Sequence, residues 1–206
     1  MKTALQRLMS PVGSILLLVM IMAGCRERIE PETPDYVEYG WELMAEGDYR
    51  GAINQFEEGT DIDDDYADGW NGLGWAYAKL GVADTSVTSF TEGISLSDTS
   101  VVGTEVMAGR SFARLALGSF SGAVSDGKNA LSETPSWVFR RDPLIDYEHV
   151  ELTVATGFYG LGEFDSSLVW VRKLDSEFTA NVTTTTGVSK LAAKLADLED
   201  HLKIIE

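Results

Sequence analysis

Residues 70–90 read WNGLGWAYAKLGVADTSVTSF, and this stretch decides the architecture. Trp70, Leu73, Gly74 and Tyr77 fall at i, i+3, i+4 and i+7, one face of an α-helix. Gly74 on that face lets a second helix approach closely. Gly81 then ends the first helix so that the chain can turn back. Ser86 and Phe90 follow at the spacing of a second helix, with Phe90 placed to plug the gap between the two. Four pairs repeat this plan 34 residues earlier: Gly40 with Gly74, Gly47 with Gly81, Phe56 with Phe90, and Gly59 with Gly93. A fixed period of this length marks stacked helical hairpins.

The pattern Trp70-x-x-Leu73-Gly74-x-x-Tyr77, followed by a small residue and Phe90, resembles the tetratricopeptide repeat. Laid along the chain, the resemblance places a first repeat at residues 33–66. Tyr36 takes the Trp position there, Tyr39 the Leu position and Leu43 the Tyr position, before a Gly47-Asp48-Tyr49 turn. The second repeat is residues 67–100. A third, shifted by three residues, spans 104–137, with a turn at Gly118-Ser119-Phe120, close-packing positions Ala123 and Ala130, and Pro135 at the end. In it Ser111 replaces the first glycine, and Gly127 stands where the aromatic should be. A fourth spans about 148–181 around Gly162-Glu163-Phe164, with Glu151 and Val154 at the Trp and Leu positions. Residues 189–205 then place Leu191, Leu195, Leu198, Leu202 and Ile205 on one stripe, an amphipathic helix capped near Ser189. A stack of repeats exposes its last face, and such a helix covers it. The expected fold is all-α, a superhelix of about four hairpins over residues 35–181 with a capping helix in 187–206.

The first 24 residues are not part of that fold. Lys2 and Arg7 precede an apolar run at 12–22 that is too short to span a bilayer, which takes roughly 20 residues, so the segment reads as a secretory signal peptide. The ending Ile21-Met22-Ala23-Gly24-Cys25 resembles a bacterial lipobox. The resemblance implies cleavage before Cys25, lipidation of that residue, and a protein held on the membrane by several acyl chains. Arg26 rather than Asp after the cysteine points, by the enterobacterial sorting rule, to the outer membrane and its periplasmic face. Cys25 is the single cysteine, so no internal disulfide forms. Residues 25–34, with RERIEPETP at 26–34, are charged and carry two prolines, as a tether would. Removing residues 1–24 takes away two cations and no acids, and the net charge goes from −17 to −19. Such a surface is wrong for nucleic acid, whose phosphates need Lys and Arg.

Catalytic chemistry finds little footing. His149 and His201 lie in different helices without a second ligand at metal spacing, and read as surface positions. Asp61, Asp63, Asp65 and Asp68 begin like a calcium loop. Tyr66 then stands where glycine is needed and Gly72 where the bidentate glutamate belongs, so these acids read as helix-capping groups. No cofactor or metal is expected.

The resemblance implies a binding groove lined by first-helix positions. Position nine holds Trp41, Trp75, Phe112 and Thr156. Position five holds Val37, Asn71, Ala108 and Leu152. Position twelve holds Met44, Ala78, Leu115 and Tyr159, with Lys79 beside it. One reading makes this stripe a groove for an apolar peptide or helix of a protein partner, with Asn71 holding the backbone and Lys79 a carboxylate. The other fills it from within, by the tether or the terminal helix, or consumes it in packing between repeats. Residues 137–143 (WVFRRDP) are aromatic and basic in an acidic chain. They read either as a binding loop or as a patch in which Trp137 and Phe139 seal a repeat interface while both arginines neutralise carboxylates. The function implied is a non-catalytic envelope adaptor. The alternative is a solute- or glycan-binding component using its aromatics as platforms.

Overall fold

The computed structural model describes residues 31–97 and 100–202. The signal segment 1–24, Cys25, most of the tether and Ile205 lie outside the described residues. From Glu32 onward the chain forms one compact unit. Among the described residues it holds nine helices: α1 (Thr33–Glu46), α2 (Tyr49–Ile62), α3 (Ala67–Lys79), α4 (Ala83–Leu96), α5 (Ser100–Ala116), α6 (Phe120–Glu133), α7 (Tyr147–Gly160), α8 (Phe164–Leu174) and α9 (Thr185–Leu202).

The helices pair as α1/α2, α3/α4, α5/α6 and α7/α8, and each pair turns on a glycine with positive φ: Gly47 (81°), Gly81 (73°), Gly118 (70°) and Gly162 (76°). Each glycine N–H bonds back to Met44, Ala78, Leu115 or Tyr159. The next residue bonds to Leu43, Tyr77, Arg114 or Phe158 at 2.8–2.9 Å. This left-handed cap satisfies the last carbonyls of the first helix and reverses the chain at once. Starts are set locally too. Asp48 accepts from the Gly51 N–H at 2.9 Å, and Thr184 Oγ1 accepts from the Gly187 N–H at 3.1 Å, so α9 begins four residues before the expected Ser189. α5 likewise begins at Ser100 rather than Thr104.

Phe56 and Phe90 are fully buried and serve as wedges between hairpins. A Cβ on Gly40 or Gly72 would stand 2.5 or 2.3 Å from the Phe56 ring, and one on Gly74 or Gly109 would stand 2.4 or 2.3 Å from Phe90. Each ring therefore lies on a glycine of its own hairpin and a glycine of the next. The third hairpin inverts the arrangement. Gly127 occupies the aromatic position, and the space is taken from the opposite side by Val154 of α7, 2.6 Å from where a Gly127 Cβ would be. The departures noticed at Ser111, Gly127 and Val154 are one exchange of bulk across an interface.

Two positions depart from the expected pattern. Tyr39 is 51% exposed where its equivalent Leu73 is 4%, because no preceding repeat stands against α1 among the described residues. His149 is 5% exposed rather than a surface residue. Its Nε2–H donates to the Leu202 carbonyl at 3.0 Å, and its Nδ1 lies 3.0 Å from the Asp146 carboxylate, which ties the start of α7 to the end of α9.

The first helices of successive hairpins touch one another (α1 on α3, α3 on α5, α5 on α7), and the second helices do not. A stack in contact along one side curves toward that side, so α1, α3, α5 and α7 line its inner face. α9 packs on α7 and α8 and buries Leu191 and Leu195 over the last hairpin.

Candidate functional site

The inner face carries the aromatic stripe, and half of it is occupied by the chain itself. The loop between α6 and α7 folds back onto α1, α3 and α5. It is held as a small hairpin by Phe139 N–H to Ile145 O (2.9 Å) and Tyr147 N–H to Trp137 O (2.8 Å). Phe139 stacks on Trp75 with centroids 4.3 Å apart and planes 19° apart. It meets Trp41 edge-on at 5.9 Å and lies 6.1 Å from Trp137. Trp41 and Trp75 are consequently 3% and 1% exposed. Among the described residues the occupant is the 137–143 loop, not the terminal helix, which packs on α7 and α8.

Three carboxylates from three helices converge beneath the loop. Glu105 of α5, 1% exposed, accepts from Arg140 Nε at 2.6 Å, from an Arg140 terminal nitrogen at 2.9 Å and from Asn71 Nδ2 at 3.0 Å. Asp68 of α3 accepts from Trp41 Nε1 at 3.2 Å and from Asn71 Nδ2 at 3.1 Å, and lies 3.6 and 3.7 Å from Arg140 and Arg141. Glu38 of α1 takes Arg141 bidentately at 2.9 and 3.0 Å, while that guanidinium sits 5.1 Å above the Trp41 ring. The arginine's hydrogen bond holds the Glu38 carboxyl below its usual range. The Glu105 hydrogen bond raises Arg140 above its own ordinary value. Paired, hydrogen-bonded charges of this kind tolerate burial where single ones do not.

The expected groove residues divide accordingly. Val37 is buried, its methyl 3.0 Å from where a Gly59 Cβ would stand, in packing between helices. Asn71 is fully buried and bonded to carboxylates. Leu152 belongs to the core under α9, and Tyr159 packs on Phe164 at 5.2 Å. Among the described residues a cleft remains open on either side of the Trp75–Phe112 contact, whose rings are 6.0 Å apart. One, of about 420 Å³, is lined by Met44, Lys79, Arg141 and Pro143 beside Trp41 and Trp75. Lys79 makes no ion pair among the described residues. The other, of about 450 Å³, is walled by Ala78, Phe112, Leu115 and Phe120, with Thr153 and Thr156 of α7 and Glu199 of α9. Phe112 and Leu115 were legible from the repeat register. Glu199, Glu105 and Glu38 were not, and the signal that pointed near them was the basic loop in an acidic chain.

The four acids at 61–68 do not cap α3. Its N-cap is Tyr66 without a side-chain bond, and only Asp68, in the first turn, turns inward. Asp63, Asp64 and Asp65 are exposed, with oxygens within 4.8 Å of one another.

Residues 40–81 match the family model described as TPR repeat. Over those residues the chain matches a tetratricopeptide repeat. Among solved structures the TPR fold is shared with MamA (TM-score 0.61, 16% identity, 82% of this chain and 92% of that one). It is also shared with YrrB, described as a TPR protein with an unusual peptide-binding site (0.60, 12%, 90% and 89%). The first TPR of Spaghetti (RPAP3), bound to the HSP90 peptide SRMEEVD, aligns at 0.55 with 19% identity over 64% of this chain and 94% of that one. No curated protein matches the sequence. At these identities the TPR likeness is one of fold. No helix among the described residues is long and apolar enough to cross a membrane.

Proposed function

We propose that this TPR protein is a non-catalytic adaptor of the bacterial cell envelope. Lipid on Cys25 anchors it, at the outer membrane facing the periplasm, and it docks a segment of a partner protein on its inner helical face. The observation that carries the reading is that face: a rigid array of first helices on which two clefts stay open beside a half already filled by a peptide-like loop. RPAP3 and YrrB, whose descriptions name a bound peptide and a peptide-binding site, lend the same scaffold to that role. The aromatic platforms that solute or glycan stacking requires are covered here, with Trp41 and Trp75 beneath Phe139 and Arg141, which favours the adaptor over that alternative.

Cross-linked pull-down of the full-length protein from its native membranes tests the docking. It is run beside Ala116→Trp, a change at an exposed residue lining the second cleft. A partner captured by the wild type and lost in a variant of unchanged helicity supports the reading. A partner captured equally by both removes the cleft from it. Labelled palmitate should enter the wild type and not Cys25→Ser; equal labelling of both would sink the anchor.

A further inference from the structure

The filled half of the inner face shows how this surface holds a cation. Arg141 lies over the Trp41 ring at 5.1 Å and ends bidentately on Glu38: an aromatic wall for the stem and face of the guanidinium, a carboxylate for its charge. The open half has the same parts with no occupant among the described residues. Phe112 stands at the register position of Trp41, and with Ala78, Leu115 and Phe120 it gives the second cleft apolar walls. Thr153, which lines the same cleft, is 1% exposed, and its Oγ1 has no hydrogen-bond partner among the described residues. A buried hydroxyl without a partner costs about 1–3 kcal/mol, and a threonine in a helix commonly relieves this on its own backbone; Thr153 does not. On the rim, exposed Glu199 makes no ion pair among the described residues.

We propose that this cleft receives the side chain of an arginine presented by a basic segment of the partner protein. Its stem lies against Phe112 and Leu115, its charge meets Glu199, and one of its N–H groups reaches Thr153 Oγ1. An arginine has five donors in a planar fork, enough to serve a rim carboxylate and a buried acceptor together. An acidic side chain would meet Glu199 in a chain of net charge −17, and a purely apolar one would leave Thr153 unsatisfied. The inference rests on the docking role proposed above and specifies its ligand.

The test uses the full chain in mild detergent with labelled alanine, leucine and threonine methyls. It is titrated with Ac-Gly-Phe-Xaa-Phe-Gly-NH2 in which Xaa is arginine or its neutral isostere citrulline. The arginine peptide should shift the methyls of Ala78, Leu115 and Thr153. It should bind at least tenfold more tightly than the citrulline peptide, a preference of about 1.4 kcal/mol. Glu199→Gln, a change at an exposed position that keeps the fold, should erase that preference. Equal binding of the two peptides at these methyls overturns the cation while leaving the adaptor reading standing. No shift at these methyls up to millimolar peptide, or shifts confined elsewhere, overturns the site itself. The pull-down with Ala116→Trp decides the adaptor separately.

Discussion

Replacing Arg140 by methionine removes the counter-charge of a carboxylate that has almost no access to water. Glu105 is 1% exposed, and Arg140 approaches it to 2.6 Å. At that separation two unit charges attract by about 6 kcal/mol at an effective dielectric of about 20. The arginine side chain is itself 44% exposed, so solvent screens the pair, and about half of that figure is the working value. The expected loss is therefore about 3 kcal/mol, at the lower edge of the roughly 3–5 kcal/mol seen when one partner of a buried pair is removed. Glu105→Gln leaves the half-exposed arginine to water and should cost only about 1 kcal/mol. Combining the two removes the stranded charge, and the double variant should lose about 2 kcal/mol, less than the single Arg140→Met. The coupling of about 2 kcal/mol is within the range for groups in direct contact. Urea unfolding measures it, with tryptophan fluorescence reporting the loop, since Trp41, Trp75 and Trp137 surround Phe139, and circular dichroism reporting the helices. Taking a slope of about 2 kcal/mol per molar urea, the Arg140→Met midpoint falls by about 1.5 M. A loss under about 1 kcal/mol, or strictly additive variants, would refute the picture of a loop locked onto a buried charge.

Phe139→Ala empties the space between Trp41 and Trp75 and should cost about 3 kcal/mol, the low end for a buried phenylalanine because a surface loop can settle. Acrylamide should then quench tryptophan emission more strongly, and unchanged quenching would show that the loop does not cover the stripe. Gly72→Ala should destabilise by about 1–3 kcal/mol through overpacking, despite alanine's better helix propensity, since its Cβ meets the Phe56 ring at 2.3 Å. Gly81→Ala meets nothing within 4 Å and should cost only the left-handed backbone term of about 1–2 kcal/mol; thermal unfolding of the pair separates contact from conformation. The Glu38 carboxyl is held low in the folded protein by Arg141, so its contribution is present above the unfolded carboxylate range and is lost as pH falls through the folded value. Because the pair is exposed, Glu38→Gln should reduce stability by under about 1 kcal/mol at neutral pH and converge with wild type as the pH falls below the lowered folded value of Glu38, a convergence that urea midpoints taken across pH would show or deny.

Local physics made the scaffold readable from the chain. Gly47, Gly81, Gly118 and Gly162 end helices through hydrogen bonds that span five residues, and the face bearing Leu73, Gly74 and Tyr77 is a matter of helical period alone. Cys25 and the short apolar run before it are equally a property of consecutive residues, and they carry the expectation of an anchor without any fold. The state of the inner face is of another kind. Register could name Trp41, Trp75 and Phe112 as neighbours, yet whether they face a partner or the protein itself depended on pairs such as Arg141 with Glu38, 103 residues apart, and Arg140 with Glu105, 35 apart. No periodicity encodes such pairs, because each side chain is chosen for a surface assembled only when the hairpins stack. Tertiary structure alone decided that Phe139 closes one half of the groove, that the Asn71 amide is bonded to the carboxylates of Asp68 and Glu105, and that Glu199, brought in by the last helix, stands at the mouth of the half left open.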